Sequence, residues 1–269
     1  MRRPIVLVKL GGSLITDKGR EGVARRRVIE RLAREIAVLA RGGRGPRLVI
    51  GHGSGSFGHA AAAHAGFSGR TRAKRAEPLG ISRIQRRARE LHRLVAEALE
   101  DAGARPFSLS PSSFMTAAGG KPKSLFADPV FAALDAGLVP LVHGDVVLDR
   151  TGGASIVSTE EVLLALGQEA LRRRLAIARA VWLGETDGVR ASEGTTLDRL
   201  TAREALRAAG RVTGASGTDV TGGMALRLRA AGALARWGVP SWIVDGRDPG
   251  VLAAAVAGRH RGGTRVEGA

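Results

Sequence analysis

Two short apolar runs near the N-terminus have the pattern of strands buried on both faces. Residues 5–10 read IVLVKL and residues 47–51 read RLVIG, and both runs are rich in β-branched side chains. Each run leads directly into glycine-rich chain, Gly11-Gly12-Ser13 after the first and residues 52–59 after the second. Because ligands bind at the carboxyl ends of parallel strands in α/β folds, these two turns are the first candidate binding segments.

Apolar residues at spacings of three and four predict helices between the strands. The clearest amphipathic helix covers residues 79–102, and others are predicted over residues 24–41, 160–175, 199–209, 222–237 and 249–257. Further strands are predicted over residues 138–143, 146–148, 154–157, 177–183 and 241–244, with 263–267 as a last edge strand and 110–124 as a loop. This alternation predicts an α/β fold with an open, mostly parallel sheet covered on both faces.

A chain of 269 residues fits one large domain or two fused lobes. No internal repeat or low-complexity linker divides it. The best candidate boundary lies at residues 170–176, between a predicted helix and the strand that begins at Ile177.

The composition excludes several classes of protein. Hydrophobic residues make up 44% and charged residues 25%, which are ordinary globular values and argue against a disordered or collagenous chain. No apolar run reaches the roughly 18–20 residues that span a bilayer. The first apolar run is too short for a signal peptide and is interrupted by Lys9, so we expect a cytoplasmic protein without membrane partners. The lack of cysteine excludes disulfides, thiolate metal sites and a cysteine nucleophile.

The net charge of +17 indicates either a solvated basic surface or an anionic partner. Aromatic residues are only 3% and tyrosine is absent, so bases would find few stacking platforms, which argues against nucleic acid and for a phosphorylated small molecule. Only five of the 42 cationic residues are lysine. In a chain this rich in arginine, a lysine suggests a position that needs a compact ammonium group.

The glycine-rich turns have the composition of anion cradles. In Lys9-Leu10-Gly11-Gly12-Ser13, backbone N–H groups without a neighbouring Cβ can approach an anion, and Lys9 adds a positive charge. The turn HGSGSFGH at residues 52–59 is a second cradle that ends in His59. The alternatives are a common glycine turn and a structural histidine, and Lys18 in the next loop reads equally well as a solvated surface lysine.

Two later segments add to this pattern. Residues 219–224, DVTGGM, open a predicted helix and form a third candidate anion site, while Glu185-Thr186-Asp187-Gly188 follows a strand and alone is an ordinary turn. The sequence contains no HExxH, no GxSxG and no His/Cys metal spacing. Three or four anion-binding turns at strand ends are better explained by two phosphate-bearing ligands than by one.

The motifs KLGGSLITDKG, HGSGSFGH, GDVVLD, TDG and DVTGGM, taken in this order, resemble the amino acid kinase superfamily and, within it, the isopentenyl phosphate kinase family. The resemblance runs from Val8 to about Asp245. It implies a three-layer αβα sandwich (the amino acid kinase fold) with two lobes. Residues 1–170 would bind the acceptor phosphate and form a homodimer, and residues 171–269 would bind ATP. The implied reaction is ATP-dependent phosphorylation of isopentenyl phosphate to isopentenyl diphosphate, a step of isoprenoid precursor synthesis.

The resemblance also implies roles for individual residues. Lys9 would bridge the nucleotide phosphates, Lys18 would reach the transferring phosphate, and His59 would bind the acceptor phosphate. Backbone donors to the acceptor phosphate would come from Gly53, Ser54, Gly55 and Gly58. The ATP site would be lined by Lys9, Gly11, Gly12, Ser13, Asp187, Gly188, Asp219, Gly222 and Gly223. Mg²⁺ would be held mainly by phosphates and water, with no protein metal ligands.

Three positions depart from the family pattern. Ser54 replaces the central glycine of the second turn, which is tolerable if the position does not need a positive φ. Glu160 stands where an aspartate normally orients the catalytic lysines, and Arg227 replaces a lysine. We expect Glu160 and Arg227 to act as a coupled catalytic pair; the alternative for Arg227 is an exposed surface arginine.

Two alternative functions remain open at the level of sequence. One is a kinase of the same fold that acts on another small phosphate, a phosphonate (as a fosfomycin kinase does) or a carboxylate. The other is a non-catalytic protein that binds a phosphometabolite or nucleotide. If the leading hypothesis is correct, the helix over 79–102 and the segment after His59, including Phe67, should enclose the apolar tail of the acceptor.

Overall fold

A computed structural model of the chain describes residues 3–41, 45–67, 77–191, 193–212 and 223–268. The described residues form an eight-stranded sheet, a four-stranded sheet and a two-stranded ribbon. In chain order their strands are β1 (Ile5–Leu10), β2 (Arg47–His52), β3 (Pro106–Ser108), β4 (Met115–Ala118), β5 (Lys121–Leu125), β6 (Val139–His143), β7 (Asp145–Asp149), β8 (Gly153–Val157), β9 (Ile177–Gly184), β10 (Val189–Arg190), β11 (Thr196–Leu197), β12 (Arg199–Thr201), β13 (Ser241–Asp245) and β14 (Thr264–Glu267).

The helices of the described residues lie between these strands. They are α1 (Gly12–Ile15), α2 (Arg26–Arg41), α3 (Gly55–His64), α4 (Pro78–Asp101), α5 (Asp128–Asp135), α6 (Thr159–Arg172), α7 (Ala202–Val212), α8 (Gly223–Ala235) and α9 (Val251–Val256), with a 3₁₀ turn at Pro111–Ser113. None of these helices is long and apolar enough to cross a membrane.

The large sheet has the strand order β12-β14-β13-β9-β1-β2-β6-β3 and is parallel except where β14 runs against β13. Alternate residues of β1 enter two separate cores: Ile5 and Leu7 pack with α5, α6, α7 and α8, whereas Val6 and Val8 pack with α2, α4 and α9. Helices therefore cover both faces, and the predicted three-layer αβα sandwich with an open, mostly parallel sheet is confirmed.

The expectation of a loop over residues 110–124 is wrong, because the segment contains β4 and β5, which pair antiparallel. The two strands are joined by Gly119 and Gly120, which have φ of +61° and +79°. Two consecutive residues with positive φ make the type of tight turn that suits a hairpin. Asp149 fixes this turn because its carboxylate accepts hydrogen bonds from the N–H groups of Gly119 at 3.2 Å and Gly120 at 2.8 Å.

Other differences concern element boundaries and sheet edges. The expected edge strand at 263–267 is β14, but it lies between β12 and β13, so within the described residues β12 is at the edge. Residues 55–59, which we placed in a turn, already belong to α3. The short elements α1, β3, α5, β10 and β11 were not predicted, and residues 199–201, expected to begin a helix, form β12, so that α7 begins at Ala202.

The large sheet runs through both proposed lobes. β1 pairs with β2 on one side and with β9 on the other, so the strands on either side of the proposed boundary at residues 170–176 are hydrogen-bonded neighbours. The parallel strands β1, β2 and β9 all end at the same edge of the sheet. That edge brings together the turns that follow them, and the division into lobes with separate roles stays a prediction.

Candidate active site

The turns after β1 and β2 are in direct backbone contact. A methyl group built on Gly12 would lie 2.6 Å from the nitrogen of Gly55, and one built on Gly53 would lie 2.7 Å from the nitrogen of Gly12. The Gly53 N–H also donates to the carbonyl of Leu10 at 3.0 Å. Side chains at Gly12 or Gly53 would therefore separate the two turns, which explains why glycine occupies both positions.

Thr16 ties the same two turns together by its side chain. Its hydroxyl donates to the carbonyl of Gly12 at 2.7 Å and accepts from the N–H of Ser56 at 3.1 Å. Gly55 has φ of +50°, and a methyl group there would lie 2.7 Å from Cγ2 of Thr16. Thr16 was not predicted from the sequence, although its position four residues after Gly12 allows a side-chain bond to that carbonyl.

Ser54 occupies its position without strain. Its φ of −75° is an ordinary right-handed value, and the positive φ of this turn belongs to Gly55 instead. The expected tolerance of serine in place of the family glycine is therefore consistent with the backbone. Gly58 lies against Ser54, since a methyl group on Gly58 would come within 2.5 Å of Cβ of Ser54.

The four backbone donors expected in this turn are not equivalent. The N–H of Gly53 donates to Leu10 and that of Gly58 donates to the carbonyl of Ser54 at 3.2 Å, both inside the protein. Among the described residues, no acceptor is recorded for the N–H groups of Ser54 and Gly55, which lie at the first turn of α3. A phosphate held by this backbone would thus be held by Ser54 and Gly55.

Lys9 and Glu160 form a buried ion pair between β1 and α6. Nζ of Lys9 lies 2.8 Å from Oε1 of Glu160, and each side chain is only 6% exposed. Burial alone would raise the pKa of Glu160, but the charges of Lys9 and Arg227 outweigh it and hold that pKa below its ordinary value. Glu160 is thus an anion that fixes the ammonium group of Lys9.

The start of α6 orients the side chain of Glu160 toward Lys9. Ser158 caps the helix by accepting from the N–H of Glu161 at 3.2 Å, and the Glu161 carboxylate accepts from the N–H of Ser158 at 3.0 Å. This capping box occupies Glu161 and leaves Glu160 on the inner face of the first turn. The hydroxyl of Thr159 donates to the carbonyl of His52 at 2.7 Å, which ties the helix to the end of β2.

Arg227 on α8 is buried in the same cluster, so the alternative of an exposed surface arginine is wrong. Its Nε lies 3.9 Å from Oε1 of Glu160, and the residue is 7% exposed. The guanidinium lies over the backbone of Gly184 and next to Gly11, at the ends of β9 and β1. Lys9, Glu160 and Arg227 together bring two cations and one anion to the glycine turns.

His59 lies on α3 beside this cluster. Its imidazole has exposed surface, but the protein on its other side lowers its pKa by removing hydration. The charge of Lys9 lowers the pKa of His59 further and that of Glu160 acts in the opposite direction. These charge interactions connect the second glycine turn electrostatically with the Lys9–Glu160 pair.

Lys18 lies apart from the buried cluster, on the exposed loop after α1. Its Nζ is 3.6 Å from Oε2 of Glu185, and its side chain is 61% exposed. Arg25 binds the other oxygen of the same carboxylate at 2.5 Å. Glu185 therefore ties the loop of Lys18 to the end of β9, a role that the sequence reading did not assign to it.

Apart from the first glycine turn, the residues predicted to line the nucleotide lie in two segments of the chain, 187–188 and 219–223. Asp187 and Gly188 follow β9, where the carboxylate of Asp187 accepts from the Thr196 hydroxyl at 3.1 Å and Gly188 has φ of +108°. Gly223 is the first residue of α8. Asp219 and Gly222 lie outside the described residues.

A second cluster of titratable side chains lies at the ends of β2 and β6 and on α4. His52, His92 and His143 are buried, with Nε2 of His52 and Nδ1 of His92 3.0 Å apart and all three rings in contact. Burial lowers the pKa of His52 to about 3 and that of His92 to about 2, and it also lowers the pKa of His143, against which Asp145 acts. Sequence spacing did not predict this cluster.

No group of three or more His, Asp or Glu side chains within the described residues is arranged to hold a metal ion. The site does fit phosphate groups. Its turns are free of Cβ atoms at Gly11, Gly12, Gly53 and Gly55, and the ammonium group of Lys9 lies at the end of β1. This is the geometry of a site for phosphate groups in an αβα sandwich.

Comparison with known proteins agrees with this geometry. The model of the amino acid kinase family matches residues 4–245. Curated relatives include the isopentenyl phosphate kinase of Methanothermobacter thermautotrophicus, 32% identical over 98% of this chain and 99% of the relative, and that of Haloferax volcanii, 33% identical over 96% and 97%. A crystal structure described as isopentenyl phosphate kinase superposes with a TM-score of 0.77 at 29% identity, covering 97% of this chain and 99% of that one.

The αβα fold, with glycine turns after its parallel strands β1 and β2, is that of a class of phosphotransferases. The chain belongs to the amino acid kinase family. It is a kinase, and membership of this family implies ATP as the phosphate donor.

Proposed function

We propose that this kinase transfers the γ-phosphate of ATP to isopentenyl phosphate and releases isopentenyl diphosphate and ADP. The observation that carries the proposal is the backbone contact between the two glycine turns, Gly12 against Gly53 and Gly55. One turn carries Lys9 before it and the other carries His59 after it. Two phosphates seated in these turns would be neighbours, as transfer between them requires. The two nearly full-length relatives named isopentenyl phosphate kinase support this acceptor.

On the nucleotide side, Lys9 would bind the phosphates with Gly11, Gly12 and Ser13, next to Arg227. We also propose that Gly188, Asp187 and the segment 219–223 line the nucleotide. Mg²⁺, when bound, would neutralise phosphate charge while held mainly by phosphate oxygens and water. Lys18 would reach the transferring phosphate only if its side chain leaves Glu185, which its exposure permits.

On the acceptor side, His59 and the N–H groups of Ser54 and Gly55 would hold the phosphate. A hydrogen bond from a charged imidazole contributes roughly 1.5–3 kcal/mol. A phosphate dianion beside His59 would oppose the lowering of its pKa and favour the protonated form.

The apolar tail would lie against a small hydrophobic cluster that begins one turn beyond His59. We call it the tail cluster. Its buried members come from α3, α4, β7, β8 and the end of the segment after α3, and they are Ala61, Ala62, Phe67, Ile84, Val146 and Ala154. Two of the elements we expected from the sequence, the 79–102 helix and Phe67, contribute to it. An apolar wall beside a phosphate site suits an alkyl phosphate better than a carboxylate or a polar phosphonate.

The chemistry needs charge neutralisation more than a base. Two unit charges about 4 Å apart repel by about 4 kcal/mol at an effective dielectric of 20, and two phosphates carry more than unit charge. Lys9 and Arg227 would offset this repulsion and hold the phosphates in line. The acceptor oxygen already carries negative charge, so no side chain has to remove a proton.

Three finer proposals rest on the sequence and the family resemblance. Residues 1–170 form the acceptor-binding and dimerising lobe, residues 171–269 form the ATP-binding lobe, and the protein is a cytoplasmic homodimer. Light scattering on the purified protein tests the dimer. A monomer at working concentrations would contradict it.

The function is tested by measuring ADP release with a panel of small acceptors. The panel holds isopentenyl phosphate, shorter and longer alkyl phosphates, fosfomycin and N-acetylglutamate. We expect the highest kcat/KM for isopentenyl phosphate and its near neighbours in length. A preference for fosfomycin or a carboxylate would replace the proposed acceptor. ATP binding without turnover of any acceptor would favour a non-catalytic protein.

A further inference from the structure

The guanidinium of Arg227 lies directly on the backbone of Gly184, the last residue of β9. A methyl group built on Gly184 would overlap Nη1 of Arg227 and lie 2.9 Å from both Cζ and Nη2. These three nearest atoms all belong to Arg227. A side chain at position 184 would therefore compete with Arg227 for the same space.

Nothing in the backbone conformation itself calls for glycine at this position. Gly184 does not have a positive φ, unlike Gly188 four residues later at +108°. It pairs with Asp245 of β13, and its carbonyl accepts the N–H of Gly246 at 2.8 Å. Glycine inside a strand weakens it and commonly marks a close approach by another group. Here the approaching group is Arg227.

Glu160 alone does not fix the guanidinium. The Nε···Oε1 distance to Glu160 is 3.9 Å, beyond hydrogen-bond length, and Nε of Arg227 is buried with no hydrogen-bond partner among the described residues. The end of the guanidinium instead approaches a surface without Cβ atoms, with Nη2 3.5 Å from where a Cβ of Gly11 would be. Gly184 is the last residue of β9 and Gly11 follows the last residue of its neighbour β1, so hydrogen-bonded strands support this surface.

We propose that Gly184 is a positioning residue whose bare backbone seats Arg227 and aims its guanidinium at the transferring phosphate. This inference rests on the proposed phosphoryl transfer, in which Arg227 touches the phosphates. The seat suits arginine in particular. Both Nη atoms and Cζ lie within 3 Å of the position that a Cβ of Gly184 would take, whereas the ammonium group of a lysine is a compact point charge that needs less of this space.

Alanine at position 184 is a usable probe because its methyl group meets the end of a flexible side chain. Arg227 can swing aside, so the protein should fold with a displaced guanidinium. Gly11 is different, since a methyl group there would lie 2.8 Å from the carbonyl oxygen of Leu183, which is part of β9. Gly11→Ala would shift backbone and test something else.

The experiment compares wild type, Gly184→Ala, Arg227→Lys and the double variant. Gly210→Ala is the matched control, because a methyl group there meets no atom of the described residues within 4 Å. We expect Gly184→Ala to lower kcat by about tenfold or more while KM for isopentenyl phosphate changes less than about threefold, as for a group that acts in the transition state. In the Arg227→Lys background the same change should lower kcat by less than about threefold, because the slimmer side chain leaves room for the methyl group.

An equal loss of kcat in both backgrounds, or no loss when Arg227 is present, would contradict the proposal that Gly184 positions Arg227.

Thermal unfolding of the same proteins without substrate gives a readout that does not depend on activity. Gly184→Ala should lower Tm by about 2–4 °C with Arg227 present and by clearly less in the Arg227→Lys background, since about 1 kcal/mol shifts Tm by that amount in a chain of this size. If wild type proves inactive on isopentenyl phosphate while this coupling in Tm is present, the proposed acceptor fails and the seat stands. If the Tm changes of Gly184→Ala and Arg227→Lys are additive, Gly184 does not position Arg227, whatever the acceptor is.

Discussion

Glu160 neutralises Lys9 at 2.8 Å and also faces Arg227 at 3.9 Å, so one buried carboxylate serves two buried cations. These three side chains carry a net positive charge next to turns that lack Cβ atoms. A phosphate group bound beside them would add negative charge next to two buried cations. If phosphate groups bind there as proposed, they should stabilise the folded protein.

Glu160→Gln should destabilise the protein and increase the effect of ATP on its stability. Removing one partner of a buried ion pair costs roughly 3–5 kcal/mol, because the remaining charge is left buried. Nucleotide phosphates would restore part of the missing negative charge, so ATP should raise the Tm of Glu160→Gln by more than it raises that of wild type. Glu169→Gln is the control, since this helix-α6 carboxylate pairs with Arg172 and Arg173 at the surface. Equal stability losses from both substitutions would contradict the buried pair.

Glu160 and Arg227 should behave as a coupled pair in kcat. Glutamate is one methylene longer than aspartate, and arginine offers a planar fork where lysine offers a point charge. Glu160→Asp and Arg227→Lys should each lower kcat, and the double variant should recover part of the loss, with an interaction of at least about 0.5 kcal/mol. Strict additivity would remove the pair from the mechanism. A higher kcat for Arg227→Lys alone would mark arginine as a degraded catalytic residue.

His59→Ala should impair the acceptor more than the nucleotide. Loss of a charged hydrogen bond of roughly 1.5–3 kcal/mol lowers kcat/KM for isopentenyl phosphate by about 10–150-fold, while KM for ATP changes little. His64→Ala is the matched control, because His64 lies in the last turn of the same helix and is exposed. Unchanged kinetics with isopentenyl phosphate would remove His59 from the site.

The pH dependence of kcat/KM for the acceptor should reflect the protonation of His59. Because the pKa of His59 is lowered in the free protein, its imidazole is mostly neutral at neutral pH and must gain a proton to bind the acceptor as a cation. The kcat/KM for the acceptor should therefore rise as the pH falls from about 8, until the acceptor phosphate itself becomes protonated near about pH 6. His59→Gln should remove this rise. A rise that persists in His59→Gln belongs to another group.

Hydrophobic patterns predicted the central sheet well, for a physical reason. β1, β2, β6 and β9 are buried on both faces, so their sequences are nearly continuous apolar runs. The hairpin of β4 and β5 escaped this reasoning because Lys121–Leu125 is mostly polar and its pairing depends on the distant Asp149. The start of α3 was not predicted either, since glycine is a poor helix former, and the positive φ of Gly55 and its close packing against Thr16 and Gly12 appear only in the folded structure.

The site was predictable only in part. The composition of the glycine turns at strand ends predicted anion binding, and the family resemblance predicted roles for Glu160 and Arg227. Their contact with Lys9 joins α6, α8 and β1, which no local spacing can predict. Gly184 gave no signal at all in the sequence, because only the position of Arg227 in three dimensions shows why a side chain is excluded there.

The histidine cluster should make the protein sensitive to mild acid. The pKa values of His52, His92 and His143 are all lowered by burial in the folded protein, to about 3 for His52 and about 2 for His92. Unfolded histidines bind protons below their ordinary pKa of about 6.5, so the unfolded state takes up more protons and stability falls as the pH drops. From pH 7.5 to 5.5, His52 and His92 should each remove about 1.4 kcal/mol from the free energy of unfolding, and the lowered pKa of His143 acts in the same direction.

Urea unfolding at these two pH values measures that loss. Wild type should lose on the order of 3 kcal/mol from His52 and His92 together, and more with the contribution of His143. His92→Gln keeps an amide donor for Nε2 of His52 and should reduce the pH-dependent loss by about 1.4 kcal/mol. A pH dependence that does not change in His92→Gln would assign the acid sensitivity to other groups.

The tail cluster should determine how KM depends on the chain length of the acceptor. Each additional buried CH₂ contributes about 0.8 kcal/mol, so KM should fall about fourfold per carbon along a series of linear alkyl phosphates until the pocket is full. Ile84→Ala, which removes bulk from the α4 wall while leaving His59 and Lys9 untouched, should move the optimum to a longer acceptor. Ile29→Ala is a control of the same chemistry, because Ile29 is buried in the core beneath α2 and not in the tail cluster. A flat dependence of KM on length in wild type, or the same shift from both variants, would mean that the tail lies elsewhere.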